Sequence, residues 1–123
     1  MRKEKDFLGI KEVPKDALYG IHSLRACENF PNEMSFHKEW YTAIGEVKLS
    51  CYQTYESFKN LALKEYSQEQ LPFVFFDDKI IDSLKKAALV IISEKHFDQF
   101  IVPAIQGGAG TSINLNLPKD RLV

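Results

Sequence analysis

With 123 residues, 45% of them hydrophobic, the chain has the length of one domain and enough apolar content for a core. Its 16 basic and 17 acidic residues nearly cancel, to a formal net charge of −1. That balance argues against a nucleic-acid surface, which carries a basic excess. No apolar run approaches the roughly 20 residues of a membrane-spanning helix, so a membrane is not expected as a partner either. Cys27 and Cys51 lack metal-ligand spacing; one disulfide is open to them, but two reduced, packed thiols of a cytosolic protein fit better. The charged opening Met1–Asp6 has no apolar stretch behind it, so no signal peptide is expected and the cytoplasm is the expected compartment.

In chain order, Asp6 to Pro14 partly alternates apolar and polar residues around Gly9, which predicts a short extended arm or hairpin within Arg2–Pro14. Leu18, Ile21, Leu24 or Arg25, and Cys27 recur at helical spacing and predict a helix over about Ile21–Glu28, weakened at Gly20 and ended by Asn29-Phe30-Pro31. Ser35 is the candidate cap of the longest periodic segment, which runs from His37 to about Lys64. There Trp40, Ile44, Val47, Cys51, Tyr55, Phe58 and Ala62 define one stripe, expected to be core. Tyr66–Pro72 reads as a loop and Phe73–Phe76 as its apolar anchor. Asp77 or Asp78 then caps a helix whose wide arc of Ile80, Ile81, Leu84, Ala87, Ala88, Ile91 and Ile92 predicts deep burial. His96–Ile105, broken at Pro103, is expected as a short helical turn. The chain thus reads as one mainly α domain: an arm over 1–31, helices over 35–66 and 77–95, and a glycine-rich segment over 106–116.

That last segment, Gln106–Asn116, reads Gln-Gly-Gly-Ala-Gly-Thr-Ser-Ile-Asn-Leu-Asn. Gly107, Gly108 and Gly110 let the backbone reach positive φ and let a ligand approach the main chain. Thr111, Ser112, Asn114 and Asn116 can donate and accept hydrogen bonds. The spacing matches neither dinucleotide nor phosphate-loop patterns, so from the residues alone a plain turn and a ligand loop both stand.

The segment resembles the first signature region of the fumarase/aspartase superfamily, and in particular its aspartate ammonia-lyase form, Gln-Gly-Gly-Ala-Gly-Thr-Ser-x-Asn-Met-Asn. Fumarases carry Ser where Ala109 stands and Gln where Ser112 stands. A second block, Glu4-Lys-Asp-Phe-Leu-Gly with Glu12-Val-Pro-x-Asp16-Ala-x-Tyr-Gly-Ile, Leu24-Arg-Ala and Glu28-Asn-Phe-Pro31, is similar to the opening of those enzymes. Together the two blocks cover nearly the whole chain.

The resemblance implies the N-terminal domain of an L-aspartase-like fold, without the central helical-bundle domain. It implies a homotetrameric parent enzyme with composite sites, interconverting L-aspartate with fumarate and ammonia, and no cofactor or metal. In such enzymes the threonine at the position of Thr111 hydrogen-bonds a substrate carboxylate. Ser112 and Asn114 are neighbouring candidates, or each only fixes the loop by bonding backbone; Asn116 ranks below them. Gly107, Gly108 and Gly110 are expected to shape the loop. The family's Thr-His pair and its Gly-Ser-Ser loop, source of the serine base, do not occur in this sequence, and His22, His37 and His96 each lack a preceding threonine. The relatives continue Asn-Glu-Val/Ile after the motif, where this chain reads Leu117-Pro-Lys-Asp-Arg-Leu-Val123. A truncated or frame-changed domain, inactive by itself, is therefore expected. The rival expectations are a fragment of a fumarase or another lyase of the superfamily, and a non-catalytic interaction module or gene remnant.

Overall fold

In β1 (Arg2–Asp6) the residues that turn inward are charged: Arg2, Glu4 and Asp6 are part-buried and alternate with exposed Lys3 and Lys5. The computed structural model describes residues 1–117; the divergent tail from Pro118 lies outside the described residues. β1 pairs antiparallel with β2 (Gly9–Val13), from Arg2 opposite Val13 to Asp6 opposite Gly9, so the arm is a β-hairpin. At its tip the Leu8 N–H donates to Asp6 Oδ1 at 2.9 Å. Each inward charge has a partner. Arg25 grips the Asp6 carboxylate with two nitrogens, at 2.7 and 2.8 Å, and holds that carboxyl below the ordinary aspartate range. Glu4 Oε2 accepts the Ile21 N–H at 2.8 Å, capping α1 (Ile21–Asn29) where its own residue before the helix, Gly20, offers no side chain. Lys11 Nζ donates to Glu28.

The chain forms two compact units. The first holds Met1–Trp40 and residues 96–117, the second Tyr41–Lys95. In the first, Val13, Ala17, Ile21, Ala26, Phe100 and Val102 are buried. Phe36 stacks on Trp40 with centroids 4.3 Å apart, and Phe100 lies 5.4 Å from Phe36. These apolar contacts are the main source of its stability.

The second unit is a helix pair. α2 (Lys38–Glu65) starts three residues beyond Ser35, so Ser35 is not adjacent to the helix it was expected to cap. α3 (Asp78–Ile92) is capped by Asp77, whose carboxylate accepts the Lys79 N–H at 2.8 Å. Phe75 is the buried anchor of the connection, ringed by Phe73, Tyr55 and Phe58 at 5.1, 5.9 and 5.8 Å. The expected core stripe of α2 is corrected here. Trp40, Val47 and Phe58 are 40%, 63% and 53% exposed, and Cys51 is exposed too; the buried positions of α2 are Tyr41 and Gly45. Tyr41 Oη donates to the Lys95 carbonyl at 3.0 Å, and Lys85 Nζ donates to Glu56 at 2.7 Å. The face joined to α3 is thus displaced by one residue, about 100°, from the apolar stripe. Periodicity shows that a helix has an apolar face, and it does not show which face a single partner helix takes.

At Gly45 the two helices pack closely. A Cβ there would lie 2.9 Å from Ile91 Cγ2 and 3.1 Å from the Ile92 backbone nitrogen. Gly45→Val is therefore expected to destabilise this unit by about 2 kcal/mol, since overpacking outweighs the few tenths gained in helix propensity. Thermal unfolding followed by circular dichroism reads this as a fall of several degrees; an unchanged midpoint would contradict the close packing.

Candidate functional site

The signature segment is reached through a well-anchored stretch of the first unit. A 3-10 turn over Phe97–Gln99 leads to buried Phe100 and Val102. The Ala104 N–H donates to the Met34 carbonyl at 2.7 Å. Residues 106–110 then form a tight bend, and α4 (Thr111–Asn116) follows. The segment expected as one loop is therefore a loop and a short helix. Inside the bend, Gln106 Oε1 accepts the Gly108 N–H at 2.5 Å, and the Thr111 N–H donates to the Gly108 carbonyl at 2.8 Å.

The glycines serve two different ends. Gly110 is the one of the three with positive φ, at 86°, and the left-handed turn is shared with Ala109 at 47°, where an L side chain carries strain. Gly108 is required for space: a Cβ there would lie 2.5 Å from both Gln106 Oε1 and Ser112 Oγ. Gly107 lies beneath the Phe30 ring, 3.2 Å from a would-be Cβ.

The polar side chains divide by helical angle. At about 100° per residue, Thr111 and Asn114 lie roughly 60° apart on α4, while Ser112 and Asn116 lie roughly 40° apart on the other side. Exposure follows the same division: Thr111 and Asn114 are exposed, Ser112 is half-buried and Asn116 is buried. The Thr111 hydroxyl has no hydrogen-bond partner among the described residues. Ser112 Oγ instead faces the space left open at Gly108.

No side chain from Gln106 to Asn116 titrates near neutral pH, so the segment can hold a carboxylate by hydrogen bonding but offers no general base. His22, His37 and His96 are all exposed and none lies in the segment. The Cys27 thiol, pushed up by burial, donates to the Ile101 carbonyl at 3.2 Å and is no reactive thiolate. Among the described residues no group of His, Cys, Asp and Glu could hold a metal ion, and no helix is long and apolar enough to cross a membrane.

Sequence reasoning placed Asn116 last among the candidates and did not single out Gln99 at all. Asn116 Oδ1 accepts the Val102 N–H at 2.8 Å and its Nδ2 donates to the Gln99 carbonyl at 2.9 Å. Both partners are backbone groups, which leave no trace in side-chain patterns.

No family model matches the chain. In sequence it is similar to the aspartate ammonia-lyase of a Bacillus species, 44% identical over 117 residues, covering 94% of this chain and 22% of the relative. The aspartate ammonia-lyase of Escherichia coli K12 is 35% identical over 120 residues, again covering 94% of this chain and 22% of the relative. The class II fumarate hydratase of Halobacterium salinarum is 35% identical over 116 residues, with the same coverage of 94% and 22%. Among solved structures, the fumarate lyase:delta crystallin of Brucella melitensis superposes with a TM-score of 0.65 at 31% identity, over 97% of this chain and 24% of that one. The chain spans about a fifth of the length of the curated relatives it matches, 22% in each of these three.

Proposed function

Because the chain has the sequence pattern and the fold of the N-terminal domain of the fumarase/aspartase superfamily, we propose that its signature segment supplies one carboxylate-binding part of an ammonia-lyase site for L-aspartate. Removing a proton beside the β-carboxylate makes that group a dianion, and hydrogen-bond donors aimed at it lower the barrier. The Thr111 hydroxyl is the donor in this reading. The observation that carries it is that the Thr111 side chain stands exposed, its hydroxyl without a hydrogen-bond partner among the described residues, at the end of a bend held by Gln106 Oε1 on the Gly108 N–H and by the Thr111 N–H on the Gly108 carbonyl. Asn114 shares its face of α4, and Ser112 lies closer to the bend. Gly107, Gly108 and Gly110 shape the approach.

The base, the Thr-His pair and the other site segments are to come from outside these 123 residues, in a homotetrameric cytoplasmic enzyme. The chain alone is then inactive. A fumarase reading has one supporting observation, the fumarate hydratase relative at 35% identity; Ala109 and Ser112 favour the ammonia-lyase. A non-catalytic interaction role is supported by the exposed apolar face of α2, where Val47, Cys51 and Tyr55 line an open groove.

The purified chain is expected to form no fumarate from L-aspartate, followed by the ultraviolet absorbance of the product. A chimera in which residues 1–116 replace the matching segment of the Bacillus aspartate ammonia-lyase is expected to form it. Turnover by the chain alone would overturn its predicted inactivity. A folded chimera that adds water to fumarate but forms none from L-aspartate would replace the ammonia-lyase reading with the fumarase one.

A further inference from the structure

Asn116 is 1% exposed, the most buried polar side chain of the signature segment, and its amide is used at both ends. One end takes the Val102 N–H and the other gives a hydrogen to the Gln99 carbonyl. The Gln99 side chain in turn accepts the Leu18 N–H at 3.2 Å, so α4, the 97–102 turn and the stretch before α1 meet at these two residues. A carboxamide bonded at both ends has one allowed orientation, because its donor and acceptor cannot be exchanged. Fixing it fixes the rotation of α4 about its axis. Thr111 lies about 140° around that axis from Asn116, so the inward anchor at one end of the helix turns the hydroxyl at the other end outward. The bend before the helix is held separately, by Gln106 on the Gly108 N–H.

We propose that Asn116 is a positioning residue for Thr111: it touches no substrate, and it sets the angle at which the threonine is presented. Its functional meaning rests on the reading of Thr111 given above; its structural test does not use a substrate, so the two can fail separately.

The discriminating variant is Asn116→Asp in the full 123-residue chain, studied by nuclear magnetic resonance. The new carboxyl has the shape of the amide. Ionised, it still accepts from Val102 but cannot donate to Gln99, and its second oxygen faces a carbonyl. Protonated, it restores both bonds. Its pKa in the folded state is therefore raised above the unfolded value, so the native contact is present at low pH and lost as pH rises through the folded value. Near neutral pH the carboxylate oxygen that faces the unpaired Gln99 carbonyl is expected to favour opening of the whole tie, so the Val102 amide, protected only while the tie is closed, exchanges 10- to 100-fold faster than in the wild type at the same pH. The resonances of residues 107–114 move with it. On acidification both return to wild-type values, a reversal that a general loss of packing would not show.

Asn116→Ser, which cannot span the two partners and carries no charge, is expected to release the same resonances at every pH. Three results would overturn the proposal: residues 107–114 unmoved in the ionised Asn116→Asp variant, no return on acidification, or an Asn116→Asp chain that stays unfolded in acid where the wild type is folded.

Discussion

Arg2→Met is expected to weaken the first unit by about 3 kcal/mol, more than any single surface change of ordinary size. The Arg2 guanidinium sits among four backbone carbonyls: Nη1 reaches those of Pro14, Lys15 and Ala17 at 2.5, 3.0 and 3.0 Å, and Nη2 that of Tyr19 at 2.7 Å. Nη1 has two hydrogens for three carbonyls, so they are shared. Nε donates to Glu4 at 2.8 Å, and Glu4 in turn caps α1 through the Ile21 N–H. One side chain thus ties β1 to the stretch that leads into α1. Hydrogen bonds from a charged donor contribute about 1.5–3 kcal/mol each, but these share one group and are partly solvated, so their sum is far from additive.

Arg2→Lys separates charge from geometry. An ammonium is a compact donor and cannot span the carbonyls as the planar fork does, so it is expected to recover less than half of the loss. Trp40, the only tryptophan, is stacked on Phe36 in the same unit, and its fluorescence during urea unfolding reports the change. A midpoint for Arg2→Met within about 0.5 kcal/mol of the wild type would remove Arg2 from this role.

The helices were legible because their apolar residues repeat at helical spacing and Asp77 stands where a cap belongs. What periodicity could not supply was the partner: the stripe from Trp40 to Ala62 exists, yet α3 lies against the neighbouring face at Tyr41 and Gly45. The first residues were legible as an extended arm or hairpin, but the make-up of the hairpin's inward face was not. Its inward face is Arg2, Glu4 and Asp6, and charged residues are ordinarily read as outward; burial is made tolerable by Arg25, by the α1 cap and by backbone carbonyls, which are visible only in three dimensions.

The signature segment divides in the same way. Its glycine spacing matched no general ligand loop, and resemblance alone gave Thr111 a role. The structure adds that Thr111 and Asn114 share an exposed face, while Asn116 is an internal tie to Gln99 and Val102. An asparagine bonded to two main-chain groups, one N–H and one carbonyl, looks in sequence like any other asparagine. Gly108 was legible as a special position; what makes it so is the approach of Gln106 and Ser112, while positive φ lies at Ala109 and Gly110.

The central claim is that Thr111 binds a substrate carboxylate. It is tested most directly by Thr111→Val in the chimera of residues 1–116 with the Bacillus ammonia-lyase. Valine keeps the branched shape and removes only the hydroxyl, and the fold is checked by circular dichroism. Losing one aimed donor at a developing oxyanion costs about 100-fold or more in rate. The account predicts a fall in kcat/KM for L-aspartate of that size, with Thr111→Ser retaining most of the activity. A Thr111→Val chimera within a few-fold of the unmodified one would contradict it.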